Sequence, residues 1–281
     1  NIGLIENKGY EIELNYRKAI SADLSILTKL NFNHAKNEQL FADEPLLNPN
    51  FAYQYRATGY PLGQNFGYIV EGFFKDADDI ANSPQQVVGG HESRPGNFKY
   101  KDLNNDNIIN ELDMAPLKYT AIPEYTFGAA FNVNYRQWDV SVLFQGVANV
   151  GRVMGESGMW AGAGFTNYSD WHRYSWTPER AASGETIKYP RLTTQTSPDE
   201  RLNDFFYVDG SFLRLRNVEL GYTFPVRMVT RMGVKRVRLY ANGLNLYTWD
   251  KLPFDGIDPE LTSAYAYPIQ RLFNFGLNVA F

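Results

Sequence analysis

The stretch Phe273-Asn274-Phe275-Gly276-Leu277-Asn278-Val279-Ala280-Phe281 decides the fold class. Every second residue is large and apolar, and those between are Asn, Gly or Ala. Side chains alternate between the two faces of a β-strand. The segment therefore reads as a strand with one apolar face and one small or polar face, and its period of two does not fit a helix. The same pattern sets Tyr125, Phe127, Ala129, Phe131, Val133 and Tyr135 against Thr126, Gly128, Ala130, Asn132 and Asn134. It resumes after Arg136-Gln137 with Trp138, Val140, Val142 and Phe144, and appears again in Ile12, Leu14 and Tyr16, in Leu24, Ile26, Leu30 and Phe32, and in Val218, Leu220, Tyr222 and Phe224.

Nine strands are expected, near 9–17, 22–34, 50–57, 64–74, 123–136, 137–147, 211–224, 235–247 and 268–281, with no convincing helix. Their connections alternate in length. Those at 18–21, 58–63, 136–138 and 225–234 are short, whereas 35–49, 75–122, 148–210 and 248–267 are long. Outer-membrane barrels have short periplasmic turns and long extracellular loops, so this sidedness favours an all-β antiparallel transmembrane barrel with its C-terminus periplasmic. Aromatics near strand ends, among them Tyr10, Tyr135, Trp138, Tyr222, Phe224 and Trp249, suit interface girdles. A β-sandwich with aromatic core residues shares the alternation. Nine strands would leave two open edges in hydrocarbon, which is not tolerated. That count, and a start at Asn1-Ile2-Gly3 without Met, lead us to expect a piece of a longer polypeptide.

Composition narrows the function classes. The 281 residues carry 27 Lys plus Arg against 31 Asp plus Glu, a net charge of −4 that does not suit a nucleic-acid face. With no Cys, thiolate metal sites and Cys nucleophiles are excluded; His34, His91 and His172 are too scattered to suggest a zinc site. The mean hydropathy of −0.40 is compatible with a barrel, whose strands average lipid-facing and lumen-facing residues. No Walker loop, dinucleotide fingerprint or catalytic carboxylate pair stands out, and the chain is not expected to be an enzyme.

Two clusters carry binding chemistry. The run 102–113 has calcium-loop spacing, with Asp102, Asn104 and Asp106 at positions 1, 3 and 5, the Ile108 carbonyl at 7, Asn110 at 9 and Asp113 at 12. Asn107 replaces the usual Gly, Asp113 the usual Glu, and flanking helices are missing. The run reads either as a Ca2+ site (Mg2+ fits less well) that stiffens the loop or as an Asx-rich turn without metal. The second cluster is the aromatic loop with Trp160, Phe165, Tyr168, Trp171, His172, Tyr174 and Trp176, which could grip a substrate or partner or form the loop's own core. On the polar strand faces, Glu13, Arg17, Asn132, Asn134, Arg136 and Gln145 are candidate lumen-lining residues.

Ordered motifs along the whole chain resemble the SusC/RagA-type TonB-dependent outer-membrane transporters. They are Glu6-Asn7-Lys8-Gly9-Tyr10-Glu11-Ile12-Glu13-Leu14, Phe66-Gly67-Tyr68-Ile69-Val70-Glu71-Gly72-Phe73-Phe74, Lys99-Tyr100-Lys101-Asp102-Leu103-Asn104-Asn105-Asp106 and Ser175-Trp176-Thr177-Pro178-Glu179. Tyr189-Pro190-Arg191-Leu192, Asn242-Gly243-Leu244-Asn245-Leu246 and Gly256-Ile257-Asp258-Pro259-Glu260 follow the same family order. The strongest is Val208-Asp209-Gly210-Ser211-Phe212-Leu213-Arg214-Leu215-Arg216-Asn217-Val218-Glu219-Leu220-Gly221-Tyr222. The resemblance implies the C-terminal part of a plugged barrel of the roughly 22-stranded class. It also implies import of oligosaccharides or peptides across the outer membrane of a Gram-negative bacterium. A SusD-like surface lipoprotein would act as lid, and TonB-ExbB-ExbD would act through an upstream plug outside these residues. Ser211, Phe212, Arg214, Arg216 and Asn217 read as barrel structure rather than ligand contacts. The alternatives are a passive porin and a secreted, calcium-stabilised carbohydrate-binding β-sandwich.

Overall fold

The computed structural model describes residues 2–45, 56–154, 170–230, 233–253, 257–261, 267 and 269–281. Along the chain the strands are β1 (Gly3–Ala19), β2 (Leu24–Ala42), β3 (Gln64–Gly67), β4 (Val70–Phe73), β5 (Gln85–Val88), β6 (His91–Glu92), β7 (Phe98–Tyr100) and β8 (Ile108–Ile109). They continue as β9 (Ala115–Thr120), β10 (Tyr125–Tyr135), β11 (Trp138–Ala148), β12 (Gly151–Val153), β13 (Tyr207–Asp209), β14 (Phe212–Thr223), β15 (Arg236–Asp250) and β16 (Leu272–Ala280). The α-helices among the described residues are one-turn elements: α1 (Ala77–Ala81), α2 (Pro178–Ser183) and α3 (Val226–Val229).

Seven of the strands form one wall. They pair antiparallel in the order β1-β2-β10-β11-β14-β15-β16. Register carries the alternation from strand to strand, so one face stays apolar across the sheet. At one level it holds Tyr16, Thr28, Phe131, Val142, Val218, Gly243 and Phe273. Toward the short turns it holds Leu24, Tyr135, Trp138, Tyr222, Leu239 and Leu277, where Trp138 and Tyr222 lie 4.8 Å apart and Tyr222 meets Phe224 edge-on at 5.2 Å. At the other end Tyr10, His34 and Tyr125 lie ring against ring. Phe275 is 83% exposed and Phe273 68%. A continuous exposed apolar face rimmed by aromatics is the pattern of a lipid-facing surface.

The wall differs from expectation in its strand count. Residues 64–74, read as a membrane strand, are instead β3 and β4, which pair with β9 and β7 outside the wall. Their alternation is real, but it buries Tyr68 in a globular core rather than facing lipid. The expected strand at 50–57 falls mostly outside the described residues, and Arg56 and Ala57 are not in a strand. Likewise 35–42 belongs to β2, and 58–63 is not a turn between wall strands. The wall connections are therefore 20–23, 136–137 and 224–235 at one end, and 43–124, 149–211 and 251–271 at the other. The sidedness survives the recount. β1 and β2, at 17 and 19 residues, outrun the roughly 9–11 residues needed to cross a bilayer.

The three long connections fold together into a cap. Its core joins Tyr68, Val88, Phe98, Tyr100 and Ile109 of the first connection to Met154, Tyr189 and Phe206 of the second, and Leu252 and Ile257 of the third pack against it. Long loops need such internal packing to be ordered.

Candidate functional site

The strongest sequence motif builds the joint between wall and cap. At its start, Asp209 accepts hydrogen bonds from the Ser211 amide (2.9 Å) and hydroxyl, from Lys251 Nζ (3.2 Å) and from the Tyr119 hydroxyl (3.3 Å). Burial pushes the Asp209 carboxyl up, but these donors outweigh it and hold it below the usual carboxylate range. Ser211 Oγ accepts the Asn149 amide at 3.1 Å. Arg214, 1% exposed, donates through Nη2 to both Asp258 oxygens at 2.6 and 2.7 Å, and its Nη1 lies 2.8 Å from Glu260. Arg216 reaches the same Glu260 at 3.2 Å. Arg152 Nε donates to the Pro259 carbonyl at 2.9 Å, crossing Gly210, where a Cβ would lie 2.4 Å from the Arg152 side chain. One strand end thus fastens all three long connections. Its residues carry the structural role that the resemblance implies.

Inside the cap, Asp199 and Tyr100 are buried polar groups with hydrogen-bond partners. Asp199 accepts from the Phe98 amide and Asn97 Nδ2, both at 2.7 Å, which stitches the second connection to the first. Its burial outweighs these bonds and pushes its carboxyl up to about 6. The Tyr100 hydroxyl donates to the Pro198 carbonyl at 3.0 Å, and desolvation pushes it well above the usual phenol range.

The 102–113 loop closes on itself. Asp102 accepts the Asn105 and Asn107 amides at 2.7 and 2.9 Å, and Asp106 accepts the Ile108 amide at 2.8 Å. Asn105 and Asn107 take left-handed φ of 59° and 64°, which Asn tolerates. Asp113 is fully buried and spends its two oxygens on the Leu103 and Asn110 amides, at 2.8 and 2.9 Å, in a capping box with Asn110. Ile109 rather than Ile108 is buried in the cap core. Among the described residues no three His, Asp or Glu side chains converge on a common metal position.

Of the candidate lumen residues, Glu13, Arg17, Asn132, Asn134 and Gln145 do share the polar face. Arg136 does not. It occupies the two-residue turn between β10 and β11 with φ of 54°, and pairs at 3.1 Å with Asp23 of the neighbouring turn. The short connection expected at 136–138 already held this residue, and a turn residue belongs to neither face. The sequence reading also missed the best-connected group on that face, Arg238 with Asp139 and Glu219, which spans three strands. Its members sat at visibly polar positions, but only register brings them together.

The aromatic loop divides. Trp160, Phe165 and Tyr168, and the side chain of Trp171, lie outside the described residues. Trp176 is buried against Gly96, whose left-handed φ of 88° and missing Cβ admit the indole. His172 packs edge-on against Tyr189 at 4.7 Å. Tyr174 stays half exposed under Lys188. Trp176 and His172 are thus packed into the cap, whereas Tyr174 is not.

An antiparallel wall with one apolar and one polar face, and a cap of long connections at one end, is the arrangement that segments of outer-membrane barrels show. No family model matches the sequence. Two proteins of Formosa agariphila, TonB-dependent receptor P26 and TonB-dependent receptor P3, are 29% and 27% identical over 100% of this chain, which covers 30% and 29% of them. TonB-dependent receptor SusC of Bacteroides thetaiotaomicron is 24% identical over 100% of the chain and 27% of its own length. Among solved structures, the RagAB peptide transporter superposes with a TM-score of 0.73 at 18% identity, over 100% of this chain and 30% of that one. The chain is similar to one part of these SusC- and RagA-type proteins, and it spans under a third of the length of the relatives it matches.

Proposed function

We propose that the chain supplies barrel wall and extracellular cap to a TonB-dependent importer in the outer membrane of a Gram-negative bacterium. The observation that carries this reading is the pairing of a seven-stranded wall, apolar on one face, with a cap built from every long connection at one end. A soluble sandwich would bury that face, and Phe273 and Phe275 leave it open. The apolar side meets lipid, the polar side meets the lumen, and Phe281 falls at the short-turn, periplasmic end.

The resemblance to TonB-dependent receptors supports energised uptake rather than passive flow. The cargo class is an oligosaccharide or a peptide, a SusD-like lipoprotein covers the cap, and TonB-ExbB-ExbD acts through an upstream plug. The chain's own part is to bind and to hold the passage. Calcium in the 102–113 loop belongs to the same proposal. Asp102, Asn104 and Asp106 offer oxygens within one turn, but Asp113 is committed elsewhere. Such an ion would be held in the weak range typical of extracellular modules, about 10⁻⁴–10⁻³ M.

The test is uptake of fluorescent oligosaccharides and peptides by cells expressing the whole polypeptide, with and without TonB. Uptake that needs TonB, together with a lipoprotein copurifying from detergent-extracted outer membranes, is the expected result. Equal uptake without TonB would favour a porin, and recovery in the soluble fraction would favour the binding module.

A further inference from the structure

A cleft of about 800 Å3 opens in the cap beside the β5–β6 hairpin. Its lining is mixed: Phe66, Tyr68, Leu112 and Met114 supply apolar surface beside Asn110 and two charged side chains, Arg201 and Glu111. Both are exposed, and neither forms an ion pair among the described residues. An exposed arginine is ordinary on a surface. This one is held. Its amide donates to the Pro198 carbonyl at 3.3 Å, and its carbonyl accepts Asn203 Nδ2 at 2.8 Å. Its guanidinium lies against Gly89, where a Cβ would stand 2.6 Å from Nε. Gly89 and Gly90 both take left-handed φ, 64° and 75°, which the tight hairpin turn requires, and Gly89 alone leaves room for the guanidinium.

A planar fork of donors without an ion-pair partner among the described residues, set against Gly89 at the edge of a partly apolar cleft, suits a carboxylate. Glu111 in the same cleft repels a second anionic group. We propose that this cleft is a binding subsite for an oligomeric ligand bearing a single carboxylate, with Arg201 gripping the carboxylate and the apolar lining taking the body of the ligand. The carboxylate could belong to an acidic sugar or to a peptide, and the chemistry at Arg201 is the same. The subsite rests on the importer reading, since it places cargo recognition in the cap.

The experiment measures binding to the whole transporter, with its copurifying lipoprotein, by calorimetry in detergent. The probes are two matched pairs: trigalacturonate with its methyl ester, and N-acetyl-trialanine with its amide. In at least one pair the free acid should bind more tightly, and that pair names the source. Arg201→Gln should weaken the acid by about tenfold or more, as expected on losing a charge-assisted bidentate contact. It should leave the neutral partner unchanged. Arg201→Lys should fall between, and Glu111→Gln should tighten the acid. No preference for the acid in either pair, or an equal effect of Arg201→Gln on acid and neutral forms, would overturn the subsite. An unchanged melting temperature of the variant complex excludes misfolding as the cause. Acid-selective binding that needs Arg201, in a protein that fails to import, would keep the subsite and sink the importer reading instead.

Discussion

Arg214→Met should loosen the 251–271 connection without breaching the wall. Arg214 is buried and its Nη2 holds both oxygens of Asp258, while Nη1 faces Glu260. Removing it leaves two carboxylates close together in a partly dehydrated site, Asp258 with 15% and Glu260 with 28% of their side chains exposed. Breaking a buried pair from one side costs about 3–5 kcal/mol, because the orphaned charge remains. Partial exposure of the acids argues for the lower end, about 3 kcal/mol. Arg216 is the internal control. It is 37% exposed and makes one contact at 3.2 Å, so Arg216→Met should cost under about 1 kcal/mol. Hydrogen exchange of the full-length protein reads the difference. Amides around 257–261 should lose about a hundredfold of protection in Arg214→Met, with those of β14 and β15 unchanged. Adding Asp258→Asn and Glu260→Gln to Arg214→Met should restore part of it. Equal effects of the two arginine variants, or loss centred on the wall strands, would refute the anchor.

The remaining expectations concern the lipid face, a glycine seat and pH. Phe273→Arg lies at the middle level of the apolar face and should cost about 2–4 kcal/mol in barrel unfolding by urea, whereas Asn274→Arg on the polar face should be nearly silent. Gly96→Ala combines a φ of 88° with a Cβ 2.5 Å from the Trp176 ring, so it should destabilise the cap by more than about 1 kcal/mol and red-shift tryptophan emission. Asp199 binds its proton more tightly folded, at about 6, than at the ordinary 3.8. Its contribution to cap stability is therefore greatest below the ordinary value and falls as pH rises through about 6. Exchange-measured opening of the cap should ease between pH 5 and 7.5, and Asp199→Asn should flatten that dependence.

The wall was legible because a bilayer demands an apolar residue at every second position, and a strand of about ten residues prints that demand in full. Residues 273–281, 125–135 and 138–144 show it directly. Legibility failed at 64–74 for a physical reason: a period of two reports one buried face, not what buries it. Tyr68 is covered by Tyr100 at 4.8 Å instead of by lipid. Spacing is ambiguous in another way at Asp113, because the ligand position of a calcium loop is also the N3 position of a capping box, and in the structure its side chain serves that box. The Arg214 anchor was visible as motif residues, but its acidic partners lie 44 and 46 positions away, so only the folded chain couples them. Register, likewise, brings Arg238 to Asp139 across 99 positions.

Lipid exposure of the β16 face is the most direct test. The 281 residues contain no cysteine, so single cysteines at 273 to 278 in the whole polypeptide stand without background from this segment. Each would carry an environment-sensitive fluorophore in liposomes and be quenched in turn by a lipid-borne and a water-borne quencher. Positions 273, 275 and 277 should respond to the lipid quencher, and 274, 276 and 278 to the aqueous one. Uniform aqueous quenching at all six positions would contradict the membrane wall.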